Sequence, residues 1–160
     1  MFAPLAALLL AAAEPPPVWA VPGEDAVAPY EAAPANAGAE PLDPALYAAF
    51  GGEAGVARIV DRLVDLSLAD ARLGPIFEPF DMIRLRRTLK EQFCYLLGGP
   101  CAYTGRDMRS AHADMGLQQK DFALLVEHLR TAMKEADVPF RRQNQFLAIL
   151  APMRRAVIER

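Results

Sequence analysis

From residue 55 onward, apolar side chains recur at helical spacing, and glycine or proline cuts the runs apart. Residues 55–69 carry Ile59, Leu63 and Leu66 on one stripe, flanked by Val60 and Val64, and Gly74-Pro75 breaks the pattern. Asp81 can cap the next helix, whose apolar face is Met82, Leu85, Leu89, Phe93 and Leu96. Residues 120–136 show Phe122, Leu125, Val126, Leu129 and Met133, with Pro139 marking the end. Residues 141–160 show Phe146, Ile149, Leu150, Met153 and Val157, and Pro152 should kink or divide that last segment. Steps of three and four place such residues on one face of a helix, and that face must be buried. No stretch has the alternation or turn chemistry of a sheet, so the fold reads as all-α.

At 160 residues the chain suits one hydrophobic core. Nine of its 14 prolines precede residue 45, and residues 21–44 have no sustained period, so this tract reads as a solvated, disordered linker. The division expected is a signal segment over 1–20, that linker over 21–44 and a helical domain over 45–160. A formal charge of -3 lacks the basic footprint of a nucleic-acid-binding protein.

Residues 5–13 are an unbroken run of Leu and Ala, the length of a signal-peptide apolar region and too short to span a bilayer. Val18 and Ala20 suit a cleavage site after Ala20, although no Lys or Arg precedes the run. Export to a periplasmic or extracellular compartment is the reading taken; an uncleaved apolar N-terminus in the cytoplasm is the alternative. Cys94 and Cys101 stand on either side of Gly98-Gly99-Pro100, which forces a turn. An oxidising compartment would pair them, and a reducing one would leave free thiols.

The densest local signal runs from Tyr103 to Gly116. Thr104 followed by Asp107 has the form of a capping box, and Gly116 suits the left-handed end of a short helix. Met108, His112 and Met115 are spaced i, i+4, i+7, so an imidazole and two thioethers share a face. The spacing alone leaves two readings open: a hydrogen-bonded core histidine, or an iron ligand.

Residues 46–158 resemble the group I truncated haemoglobins, short globins with a two-over-two helical sandwich around a haem. The landmarks fall in the family's order: Leu46-Tyr47, Gly51-Gly52, Asp70-Ala71-Arg72-Leu73, Phe77, Asp81-Met82, Gly98-Gly99-Pro100, Tyr103-Thr104-Gly105, Met108, His112, Gly116-Leu117, Phe122 and Val138-Pro139. The resemblance implies haem b as cofactor, with His112 as the proximal ligand of a pentacoordinate iron and its Nδ1–H given to a backbone carbonyl. Phe77 matches the aromatic that packs against the haem. Met108 and Met115 would line the proximal side, and Tyr103 the haem edge. Arg106, Arg86, Arg87 and Lys90 are candidates for the propionates. The distal positions, where relatives often carry Tyr, Gln or His, hold Val64, Leu85, Thr88 and Leu89 here; Gln92 could reach in if its helix rotated. His128 reads as a boundary residue of its helix.

These assignments imply a protein that binds oxygen, NO and CO in an apolar distal pocket. A haem redox enzyme is the alternative: an NO dioxygenase, which needs a reductase partner, or a peroxidase, which benefits from a distal acid–base residue. A haem-free helical interaction module is the third. No membrane span is expected.

Overall fold

The computed structural model describes residues 19–158. The apolar run at residues 5–13 lies outside them. Every regular element among the described residues is helical: α1 (Pro44–Ala49), α2 (Gly52–Ala69), α3 (Gly74–Phe77), α4 (Met82–Leu96), α5 (Met108–Ala111), α6 (Gln119–Glu135), α7 (Phe140–Leu150) and α8 (Arg154–Val157). Short 3-10 turns occupy Pro34–Ala37 and Ala151–Met153.

Side-chain caps fix several helix starts by satisfying backbone N–H groups that have no partner within the helix. Asp43 accepts from Ala45 N at 2.8 Å, and Asp81 accepts from Ile83 N at 2.9 Å and Arg84 N at 3.1 Å. Gln118 and Asp121 form a reciprocal capping box at the start of α6. Pro152 divides the last segment, with α7 stopping at Leu150 and α8 resuming at Arg154.

α2 is the central element, packed against α4 and α6, and α6 also meets α7. The pairs α2/α4 and α6/α7 are the layers of a two-over-two sandwich. Ile59, Val60 and Val64 of α2 are completely buried. Phe146 of α7 is the hub of the aromatic core, edge-on to Phe93 at 4.9 Å and to Phe50 at 5.4 Å. Gly98 leaves α4 with φ of 82°, and a Cβ there would lie 2.4 Å from the Leu42 carbonyl oxygen, so only glycine makes this turn. Across the turn Cys94 and Cys101 form a disulfide, with Cα atoms 5.9 Å apart. It ties the end of α4 to the loop that leads into α5.

The tract 21–44 departs from its reading as a solvated linker. Ala37 is wholly buried, and its carbonyl accepts from Gln92 Nε2 at 2.9 Å. Tyr30 Oη donates to the Thr104 carbonyl at 2.9 Å, Asp25 N donates to Asp81 at 2.8 Å, and Glu24 pairs with Arg87 and Arg84. Composition registers the prolines but not these partners, which lie some sixty or seventy residues away in sequence.

Candidate functional site

The apolar stripes do not close completely on one another. Between α4, α5, α6 and the segment around α3 they leave a cavity of about 510 Å³, a size ordinary for a small-molecule site, roughly 300–1,000 Å³. Leu85 and Leu89 of α4, with Phe122, Leu125, Val126 and Leu129 of α6, face it. The α6 stripe that its spacing marks for burial is largely cavity wall.

His112 stands in that wall, immediately after α5. The cap of α5 differs from the expected one: Asp107 is the N-cap, accepting from Arg109 N at 3.0 Å and Ser110 N at 3.1 Å. Thr104 instead donates its hydroxyl to Glu91 at 2.6 Å. The helix is also shorter than the spacing suggests, ending at Ala111. Asp114 (φ 61°) and Gly116 (φ 63°) then turn the chain through left-handed conformations. Met108, His112 and Met115 are therefore not on one continuous helical face, yet all three line the cavity.

The His112 Nδ1 lies 2.7 Å from the Met108 carbonyl oxygen. A carbonyl only accepts, so Nδ1 carries the proton and Nε2 is the nitrogen with the lone pair. Burial pushes the imidazole pKa below its ordinary value, against the opposing effect of the Met108 bond. The ring is thus neutral at neutral pH, oriented, and of fixed tautomer, the form in which an imidazole binds a metal.

The other expected residues divide by where the fold places them. Phe77, Met108, Met115, Tyr103, Leu85, Leu89, Thr88 and Arg106 all line the cavity beside His112. Val64 does not: it is completely buried in the core, and its neighbour Leu63 faces the cavity instead. Arg86, Arg87 and Lys90 are also not lining residues. Arg86 and Lys90 are held by Asp61 and Asp65 on α2, and Arg87 by Glu24 and Glu91. Arg84, which the sequence reading passed over, lines the cavity with Arg106. His128 is not a lining residue either; its Nε2 sits 3.5 Å from Asp70 and its Nδ1 3.4 Å from Ser67.

Polar atoms on the α4 wall are already committed. Thr88 Oγ1 donates back to the Arg84 carbonyl at 2.9 Å, with the Leu85 carbonyl at 3.3 Å. Gln92 also lines the cavity, but its amide nitrogen is bound to Ala37 O at 2.9 Å and lies 3.3 Å from Met108 Sδ, so its N–H groups are committed. Tyr103 Oη donates to the Arg106 carbonyl at 2.8 Å, and burial keeps the phenol protonated well past its ordinary range.

An all-helical two-over-two sandwich around an apolar cavity, with one oriented imidazole in the wall, is the architecture of a small globin. Sequence comparison agrees. Residues 45–159 match the family described as Bacterial-like globin, and the chain belongs to that family. It is 33% identical over 115 residues to the group 1 truncated hemoglobin GlbN of Mycolicibacterium paratuberculosis, covering 72% of this chain and 83% of that one. With GlbN of Nostoc commune the identity is 30%, covering 72% and 98%. Among solved structures, the truncated hemoglobin of Tetrahymena pyriformis in its Fe(III) form superposes with a TM-score of 0.69 at 29% identity, covering 72% of this chain and 98% of that one. The 2/2 hemoglobin of Synechococcus, solved in the cyanomet state with covalently attached heme, gives 0.67 at 30% identity, with the same coverage.

The residues present fit haem b. A neutral nitrogen is a suitable donor to its iron, and His112 Nε2 is such an atom in the cavity wall. Its ring requires apolar walls, which Leu85, Leu89, Phe77 and Phe122 supply. Its two carboxylates require cations at the cavity edge, where Arg84 and Arg106 lie.

Proposed function

We propose that this chain is a haem b protein that binds diatomic gases, with His112 Nε2 as the single protein ligand to the iron. One observation carries the reading: a neutral imidazole in the wall of an apolar cavity, with Nδ1 bound at 2.7 Å to the carbonyl of Met108. When bound, haem iron supplies reversible coordination of oxygen, NO and CO. The chain's own residues supply the rest. His112 would hold the iron through Nε2, Phe77 and the methionines would exclude water, and Arg84 and Arg106 would offer donors at the edge. Away from Arg84 at the edge, the α4 side chains Leu85, Thr88 and Leu89 offer no free hydrogen-bond donor, which favours ligands that need none, CO and NO, over oxygen.

The enzyme readings have less support. Peroxidase chemistry gains from an acid–base residue beside the iron, and Leu85, Thr88 and Leu89 do not provide one. NO dioxygenation gains from firmly held oxygen and needs a reductase. An open cavity of this size argues against a haem-free module, which would close its core.

The test is a visible spectrum of the wild type beside His112→Ala, as purified, reduced, and reduced with CO. A strong Soret band that shifts with CO in the wild type and is lost in the variant is the expected result. A colourless wild type that takes up no added haemin would overturn the reading.

Export is proposed as well, on the strength of the Cys94–Cys101 disulfide together with the apolar run at residues 5–13. Among the described residues no helix is long and apolar enough to cross a membrane.

A further inference from the structure

The family match begins at residue 45, yet residues well before it line the cavity. Val27, Ala28 and Tyr30 face the same space as His112. Their segment is pinned at both ends. On one side Glu24, its side chain 1% exposed, pairs with Arg87 and lies 3.5 Å from Arg84, while Asp25 N donates to Asp81 at 2.8 Å. On the other side Tyr30 Oη donates to Thr104 O at 2.9 Å, and its ring lies 5.1 Å beneath the Arg106 guanidinium.

The arginines are the informative part. Among the described residues the only Lys or Arg side chains lining the cavity are Arg84 and Arg106, and the segment holds both. Arg84 Nη2 donates to the Asp25 carbonyl, and Arg106 Nη2 donates to the Ala28 carbonyl at 3.0 Å. Main-chain oxygens use one donor of each guanidinium and neutralise neither charge, although the carboxylates of Glu24 at 3.5 Å and Asp81 at 3.8 Å offset that of Arg84 in part. The Glu24 carboxylate is spent chiefly on Arg87, which does not line the cavity. Two cations with spare donors are thus fixed at the rim, with Val27 and Ala28 laid between their attachment points.

We propose that residues 24–30 form a strap that closes the carboxylate edge of bound haem b, presenting Arg84 and Arg106 to the two propionates and slowing loss of the cofactor. The proposal rests on the haem reading above and goes beyond it, because the strap lies outside the globin domain. Releasing the strap removes the Tyr30 stack on Arg106 and the Glu24 ion pairs. With a further bond from Tyr30 Oη lost, the expected effect is haem loss faster by about tenfold.

The experiment compares haem-loaded wild type, Glu24→Ala/Tyr30→Ala and Arg62→Ala, a control whose partner Glu135 lies on α6 and which does not line the cavity. Haem transfer to excess apomyoglobin is followed by visible absorbance. Hydrogen exchange of residues 24–30 is measured in the full-length wild type with and without haem, a readout that does not depend on any variant folding. Faster transfer from the double variant alone, with an unchanged CO-bound Soret band and greater protection of the strap on haem loading, is expected. Equal transfer rates, or lower protection of the strap when haem binds, would overturn the strap while leaving the haem reading intact. Failure of the wild type to bind haem would overturn both.

Discussion

The composition of the α4 wall makes a quantitative statement about oxygen. Leu85 and Leu89 have no donor to offer, and the Thr88 hydroxyl is spent on the carbonyls of its own helix at 2.9 and 3.3 Å. Dioxygen takes on negative charge when held by ferrous haem, and a hydrogen bond to a charged acceptor is worth about 1.5–3 kcal/mol. Placing a donor where none exists should therefore slow oxygen dissociation by about 10- to 150-fold. Leu89→Gln is the substitution of choice: it is close in volume, lies on the cavity-lining face of α4, and replaces a half-buried side chain. Flash photolysis with oxygen and CO competition measures the rate directly. CO carries far less charge, so its dissociation should change much less than that of oxygen. Thr88→Val is the companion, expected to alter the oxygen rate by less than about twofold because its hydroxyl is engaged elsewhere. A tenfold faster oxygen loss from Thr88→Val would show that the hydroxyl does turn into the cavity, and the account of an unassisted pocket would be refuted.

Export makes a covalent statement: protein recovered from the periplasm of an expressing bacterium should begin at Val21 and carry the Cys94–Cys101 bond, both read by intact mass. Replacing both cysteines by serine should then lower stability to denaturant by about 2 kcal/mol, the loop-closure value for so short a ring. The His112 shift gives a pH dependence of definite sign. Because the folded pKa lies below the unfolded value of about 6.5, the unfolded chain gains a proton that the folded one refuses. The stability of haem-free protein should therefore fall as pH drops through about 6.5 and level off below the folded pKa. Denaturant titrations across that range should lose this component in His112→Phe.

What the sequence disclosed depended on the range of the interaction. Helix positions were legible because the apolar period and the Asp81 and Pro139 signals act within a few residues. The place of His112 in the cavity wall was legible because Asp107 and Met108 act within a few residues of it, even though Asp107 rather than Thr104 provides the cap. Thr104 was misread for a long-range reason: Glu91, thirteen residues back on α4, offers its hydroxyl a carboxylate at 2.6 Å and its backbone N–H another bond at 3.0 Å. Val64 was misread because consecutive residues of a helix point about 100° apart, so a small error in rotation exchanges core for cavity. Leu63 takes the lining position in its place. Arg84 was missed because nothing in a run such as Arg84-Leu85-Arg86-Arg87 says which guanidinium turns toward the cavity; Asp61 and Asp65 on α2 draw Arg86 away, and Glu24 and Glu91 draw Arg87 away.

The residues before the domain show the same limit most clearly, and they bear on how the site works. A proline-rich tract cannot pay its ordering entropy from its own contacts, so composition alone assigns it to solvent. Here the partners are supplied by the folded domain: Asp81 at the N-cap of α4, Arg87 on α4, the Thr104 carbonyl, and the guanidinium of Arg106. Each contact is modest, and those on the half-exposed groups are weakened by water. They nevertheless converge on the edge of one cavity. An apolar wall that offers oxygen no hydrogen bond also offers haem few polar anchors inside, which throws retention of the cofactor onto its carboxylate edge. That is the edge the tract covers. On the two proposals above, weak holding of the gas and firm holding of the cofactor would be separable properties, the first set by Leu85, Thr88 and Leu89 and the second by residues 24–30 with Arg84 and Arg106. Substitutions in one set should leave the other property unchanged, since among the described residues the side chains of the two groups are joined only by the Thr88 bond to the Arg84 main chain.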